Sequence, residues 1–224
     1  MSASLEESVI ASSLQEQCTP DDTSRVTTSD CGELAPESAA SRQPSDAQWP
    51  VFAGLQLWLQ RELRSDHAGE YGAVMIYRGI LAVSRDEQAR QFAERHLITE
   101  RQHLRLMEEI VPVACRTRLL PLWHVMGWLT GALPALFGRK AIFSTIEAVE
   151  TFVDHHYEQQ ITRLSKHGND ALLRQTLLEC QADEVNHRDE AARLAMPTKG
   201  FFLRIWCRFV GAGSAIAVIA ARRT

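Results

Sequence analysis

Glu100-Arg-Gln-His103 and Glu184-Val-Asn-His187 are one motif, Glu-x-x-His, occurring twice. Each copy follows a lone glutamate at a similar distance: Glu70 lies 30 residues before Glu100, and Glu150 lies 34 residues before Glu184. On a helix, residues i and i+3 project from one face, about 60° apart. Two such faces and two single carboxylates form a six-ligand cage when four helices bundle. A lone Glu-x-x-His arises by chance on any helical surface. Two copies, each with a spaced partner glutamate, form a much narrower pattern. Residue by residue, a solvated glutamate or a satisfied core histidine would be the ordinary reading. For six inward-facing ionisable groups together it fails, because their burial is costly without a cation.

The flanking sequence supplies the helices. Apolar residues at helical spacing (Leu55, Leu59, Leu63, Val74, Tyr77, Leu81) predict a long first helix from about Gln48 to near Ser84. Asp86 can cap a second helix that Pro112 stops. A third is expected from about Lys140 to Lys166, ending at the His167-Gly168 signal. Asp170 opens a fourth, which stops before Pro197. With no convincing strand pattern, the expected class is all-α: a four-helix bundle with a long apolar crossover and a C-terminal interfacial helix.

The crossover, residues 119–138, carries no formal charge unless His124 is protonated. Its length would allow a membrane span. Pro121 and Pro134, with Gly127 and Gly131, predict instead a broken or bent helix with one lipid-facing side. At the C-terminus Arg204 and Arg208 stand one turn apart among Phe201, Phe202, Ile205, Trp206 and Phe209. The charge-free run from 209 to 221 is too short to cross a bilayer, so this segment reads as a helix lying in the interface, its arginines reaching to headgroups. A terminal helix packed on the bundle is the competing reading.

Charge and cysteine usage exclude other classes. Residues 1–45 hold eight acidic and two basic side chains, a net −6 against −4 for the whole chain, so the remainder is about +2. That remainder has no basic run suited to nucleic acid, and none is expected as a partner. Five scattered cysteines without a C-x-x-C indicate neither a disulfide framework nor a zinc site. Residues 1–46 are rich in Ser, Thr, Pro and acid, and are expected to form a disordered acidic extension ahead of a domain spanning 47–224. They carry neither an apolar signal core nor an Arg-rich transit composition.

Four carboxylates and two imidazoles suit iron or manganese better than copper or zinc. Four negative charges balance two divalent ions, and oxidation of both leaves two charges for oxygen-derived bridges. The spacing assigns one metal to Glu70, Glu100 and His103 and the second to Glu150, Glu184 and His187, with Glu100 and Glu184 bridging. Glu147, one turn before Glu150, is a rival ligand. Asp183 and Asp189 are candidates to accept the outer ring N–H of the ligand histidines. His67, His155 and His156 are further candidates around the site. Tyr157, two turns after Glu150, is the candidate catalytic residue, holding a substrate oxygen or relaying an electron, with a core aromatic as the alternative. Cys180 reads as packing.

At these residues the chain resembles the demethoxyubiquinone hydroxylase family of ubiquinone biosynthesis. The resemblance runs over about 60–221 and rests on Asp66-His67-Ala68-Gly69-Glu70-Tyr71-Gly72-Ala73, Ile76-Tyr77-x-Gly79, Glu100-x-x-His103, Leu120-Pro121-Leu122-Trp123, Ala148-Val149-Glu150, His155-His156-Tyr157 and Asp183-Glu184-x-x-His187-Arg188-Asp189. It implies a ferritin-like bundle attached to the membrane and a centre of two iron ions per chain. It further implies insertion of one oxygen atom from dioxygen into the ring of a polyprenyl benzoquinol, with ligands at Glu70, Glu100, His103, Glu150, Glu184 and His187. Thr151 stands where many relatives have a second glutamate, and no basic residue falls between Arg208 and Arg222.

The expected function is therefore a monooxygenase hydroxylating demethoxyubiquinol. It would be a peripheral membrane protein at the cytoplasmic face of a bacterial inner membrane, or alternatively at the matrix side of the mitochondrial inner membrane. A di-iron quinol oxidase, a ferroxidase and a non-enzymatic quinone-binding scaffold within a ubiquinone-biosynthesis complex are the alternative functions.

Overall fold

The computed structural model describes residues 49–167, 170–195 and 199–224. The acidic extension, Gly168 and Pro197 lie outside the described residues. Among the described residues six α-helices follow one another: α1 (Leu57–Val83), α2 (Glu87–Ile110), α3 (Leu120–Ala135), α4 (Arg139–His167), α5 (Ala171–Ala195) and α6 (Phe201–Arg223). Among the described residues there is no strand. Short 3-10 turns at Phe52–Gly54 and Val113–Cys115 precede α1 and α3.

The caps act where the sequence places them. The Asp86 side chain accepts from the Ala89 N–H at 2.9 Å, and Asp170 accepts from the Leu173 N–H at 2.8 Å. Two helical hairpins, α1–α2 and α4–α5, make the bundle. Helices α1 and α4 run antiparallel: Asp66 meets His156 and Gln160, Glu70 meets Tyr157, and Tyr77 meets Glu150. One apolar cluster, around Tyr77, Phe92, Phe143 and Ile146, fills the bundle on one side of these contacts. A second, around Leu63, Met107, Leu164 and Leu177, fills the other. The polar residues of the predicted cage sit between two greasy plugs.

The crossover differs from its expectation. It is one continuous helix, with Pro121 in the first turn and Pro134 in the last. In the first turn the missing N–H costs no hydrogen bond. The glycines serve contact rather than bending. A Cβ on Gly131 would lie 1.9 Å from the Ile76 carbonyl oxygen, and one on Gly79 would lie 2.2 Å from the Trp128 carbonyl oxygen. Their hydrogens let α3 settle backbone to backbone on α1. The outer side of α3 leaves Leu122, Val125, Met126 and Leu133 exposed, and Leu136 and Phe137 just past its end are exposed too.

Helix α6 is longer than the charge-free run that set its expected limit. Its 23 residues, with a mean hydropathy of 1.5 in the most apolar window, are long and apolar enough to cross a membrane. Both ends are nevertheless tied to the bundle. Trp206 donates its indole N–H to Thr145 Oγ1 at 2.8 Å, Val210 joins the first core cluster, and Arg222 pairs with Glu62 at 2.5 Å. The opposite side exposes Phe201, Phe202, Ile205, Phe209, Ile216 and Ile219. The C-terminal part of α6 and the N-terminal part of α3 converge on Ala68, where Ala217, Ala220 and Ala221 join Leu119, Leu120 and Trp123.

Candidate metal centre

All six predicted ligand residues meet in the middle of the bundle. Glu70 comes from α1, Glu100 and His103 from α2, Glu150 from α4, and Glu184 and His187 from α5. None is more than 4% exposed. They form two overlapping groups with mutually close ligand atoms: Glu70, Glu100, His103 and Glu184, and Glu100, Glu150, Glu184 and His187. Glu100 and Glu184 belong to both, the positions that bridging carboxylates would occupy.

The distances show how tightly the groups are held. His103 Nδ1 lies 3.0 Å from Glu184 Oε1 and 3.7 Å from Glu70 Oε2. His187 Nδ1 lies 3.0 Å from Glu100 Oε1 and 3.3 Å from Glu184 Oε2. Yet His187 Nδ1, Glu184 Oε2 and both Glu100 oxygens make no hydrogen bond. Buried polar atoms crowded together without hydrogen-bond geometry fit a shared cation rather than one another.

The protonation pattern points the same way. Burial, then the charge of Glu184, pushes the Glu100 carboxyl up to about 8. Burial, then Glu184 and Glu100, raises Glu150 well above the usual carboxylate range. Glu184 escapes this: burial would raise it, but contacts with His103 and His187 outweigh that and hold it at about 2. His187 would be lowered by burial, yet its contacts with Glu100 and Glu184 carry it to about 11. Protons thus substitute for positive charge that four neighbouring carboxylates require.

Two tyrosines close the arrangement with a shared logic. Tyr157 donates its hydroxyl to Glu70 Oε1 at 2.6 Å, and Tyr77 donates to Glu150 Oε1 at 3.4 Å. Each tyrosine stands seven residues after the lone glutamate of its own helix and reaches the glutamate of the other. The expected role of Tyr157 placed it beside Glu150; antiparallel α1 and α4 bring it to Glu70 instead. Tyr77 went unassigned, although the repeat Glu70…Tyr77 and Glu150…Tyr157 carried the signal.

The surrounding candidates divide. Asp183 Oδ2 lies 3.2 Å from His103 Nε2, the contact expected of a carboxylate behind this candidate ligand. Asp189 instead pairs with Arg188, because it projects to the outer side of α5. Glu147, the rival ligand, pairs with Lys199 away from the centre. His155 is exposed, while His156 hydrogen-bonds Asp66 at 3.0 Å. His67 is buried with neither ring nitrogen hydrogen-bonded, and burial, then Arg116, lowers it to about 4. Cys180 packs in the second core cluster. Sequence reasoning missed His96 and Glu190, which meet at 2.9 Å beside His187.

Fold and site together define an all-α bundle protein whose interior carboxylate–histidine cluster can hold metal. The model of the family described as ubiquinone biosynthesis protein COQ7 matches residues 57–221, and the chain belongs to that family. It is 37% identical over 155 residues to the 3-demethoxyubiquinol 3-hydroxylase of Rhodospirillum rubrum, covering 67% of this chain and 72% of that protein. It is 35% identical over 136 residues to the mitochondrial NADPH-dependent 3-demethoxyubiquinone 3-hydroxylase of Homo sapiens, covering 58% of this chain and 62% of the human protein. The Caenorhabditis elegans protein of the same name is 28% identical over 174 residues, 74% of this chain and 91% of that one.

Proposed function

We propose that the protein is an oxygen-dependent di-iron monooxygenase that hydroxylates the ring of demethoxyubiquinol. The observation that carries this reading is the pair of overlapping four-residue clusters, sharing Glu100 and Glu184, in a chain of this family. Glu70, Glu100, Glu150, Glu184, His103 and His187 would hold two iron ions. Bound there, the ions supply the electron transfer to dioxygen that organic side chains cannot perform. The overall change replaces a ring C–H by C–OH. The second oxygen atom leaves as water, and two electrons and two protons are consumed.

The chain's own groups set the conditions. The apolar plugs on both sides of the centre limit water access, which strengthens every charge interaction inside. Tyr157 and Tyr77 fix the orientation of Glu70 and Glu150 from opposite helices. Asp183 fixes the His103 ring.

Attachment to a membrane surface follows from the substrate and from the exposed sides of α3 and α6. A polyprenyl tail stays in the bilayer, so its ring must be met at the lipid surface. Phe137, Phe201, Phe202 and Phe209 are each at least 67% exposed, and Arg208 and Arg223 flank the α6 stripe. A flat-lying pose is favoured over a crossing one. Because α6 packs along α1 and α4, with Ala217, Ala220 and Ala221 against Ala68, a membrane-crossing α6 would draw the neighbouring charged residues of α1, Asp66 and Glu70, to hydrocarbon depth. The direct test is aerobic incubation of iron-loaded protein with demethoxyubiquinol, a reductant and labelled dioxygen. The expected product carries one labelled ring oxygen with wild type and none with Glu184→Ala. A quinol oxidase would return unmodified quinone instead.

A further inference from the structure

The two ligand histidines occupy matching places in the repeated motif but are held in different ways. His103 turns Nδ1 toward Glu184 and Glu70, and its Nε2 meets the Asp183 carboxylate at 3.2 Å. His187 turns Nδ1 toward Glu100 and Glu184. Among the described residues no carboxylate lies within 4.0 Å of its Nε2. Against its ring stands His96, edge-on, with centroids 4.1 Å apart and planes at 68°. His96 is itself fixed from two sides. Phe92 packs on it with centroids 4.2 Å apart, and its Nε2 meets Glu190 Oε2 at 2.9 Å. Glu190 is anchored in turn by Arg95 at 2.5 Å.

We propose that His96, fixed by Glu190, is a positioning residue for His187, so that the two metal positions of the proposed centre are chemically inequivalent. The position using His103 is backed by a carboxylate, which raises the basicity of the imidazole. The position using His187 is backed by a second imidazole, which orients the ring without adding negative charge. The first ion therefore fills the cluster of Glu70, Glu100, His103 and Glu184, and the second fills that of Glu150 and His187 more weakly. Helical register builds this support. His96 precedes Glu100 by one turn on α2, and Glu190 follows His187 by one turn on α5. The neighbouring turns of two ligand-bearing helices thus clasp each other outside the centre.

This inference rests on the proposed di-metal reading, and the experiment separates the two. Anaerobic ferrous iron is titrated into the full-length chain by calorimetry, with Mössbauer spectra recorded at one and at two equivalents of the enriched isotope. Wild type should bind two ions in two distinguishable steps and show two doublets. His96→Ala should weaken only the second step, about 10- to 100-fold, and alter only the doublet that appears with the second equivalent. Glu190→Gln, whose amide can still hydrogen-bond His96, should restore most of the second step relative to Glu190→Ala. Asp183→Asn should weaken the first step instead. Failure of wild type to bind two ions overturns the di-metal reading itself. Two ions in one indistinguishable class, or a loss shared equally by both steps in His96→Ala, overturns the inequivalence while leaving the di-metal reading standing.

Discussion

Gly131→Ala should destabilise the protein, although alanine is the better helix former. A Cβ at position 131 would stand 1.9 Å from the Ile76 carbonyl oxygen, 2.8 Å from its carbonyl carbon and 3.0 Å from the Ile80 nitrogen. All three are backbone atoms of α1, so no side-chain rotation relieves the clash. Restoring a contact of 3.4 Å requires α3 to withdraw by the difference from 1.9 Å, about 1.5 Å, along a glycine-lined seam. Overpacking costs about 1–3 kcal/mol, and this backbone-on-backbone case belongs at the upper end. Alanine returns about 1 kcal/mol of helix propensity. A net loss of about 2 kcal/mol lowers Tm by about 4–8 °C in a chain of this size. Gly213→Ala is the control: it lies within α6 with nothing within 4 Å of its added Cβ, and should raise Tm by about 2–4 °C. Thermal unfolding followed by circular dichroism reads both. Gly131→Ala melting at or above the wild-type temperature would refute the close docking of α3 on α1.

Metal uptake should release protons and strengthen as pH rises. Glu100 near 8 and His187 near 11 are largely protonated at pH 7 without metal, and both must lose their protons to bind it. With Glu150 and His103 shifted the same way, on the order of two to four protons should appear per metal pair. Calorimetry in buffers of different ionisation enthalpy counts them, and a buffer-independent heat contradicts the pattern. Tyr157→Phe removes a 2.6 Å hydrogen bond to a buried carboxylate and should cost about 1.5–3 kcal/mol of stability. It should keep both metals but slow hydroxylation; an unchanged rate reduces Tyr157 to packing. Replacing Phe201, Phe202 and Phe209 together by serine should leave Tm nearly unchanged, since all three rings are exposed, while weakening vesicle co-sedimentation at least about tenfold. Undiminished sedimentation would remove α6 from the membrane-facing surface.

The cage was legible because its chemistry is local and repeated. A Glu and a His three apart on a helix share a face wherever the helix goes, so six candidate ligand residues could be placed together before any packing was known. The starts of α2 and α5 were legible for the same reason, since Asp86 and Asp170 are caps that act within one turn, whereas α1 begins at Leu57 and not near Gln48, after a separate turn at Phe52–Gly54. What escaped depended on relations between helices. Tyr157 lies close to Glu150 in register, but antiparallel pairing of α1 and α4 sends its hydroxyl to Glu70. Asp189 and Asp183 look alike in the motif, yet the rotation of α5 turns one outward and one toward His103. The prolines and glycines of α3 suggested a break, because a sequence does not show that Pro134 falls in the last turn or that Gly131 touches Ile76. His96 and Glu190 become partners only when α2 and α5 lie side by side.

The claim that these six residues form one centre for two ions is tested most directly by metal analysis and Mössbauer spectroscopy of the purified, iron-loaded chain. Two irons per chain, magnetically coupled after oxidation, are expected for wild type. Glu184→Ala should lose the coupling, because Glu184 belongs to both overlapping groups. One iron per chain, two uncoupled irons, or coupling that survives Glu184→Ala would contradict the account.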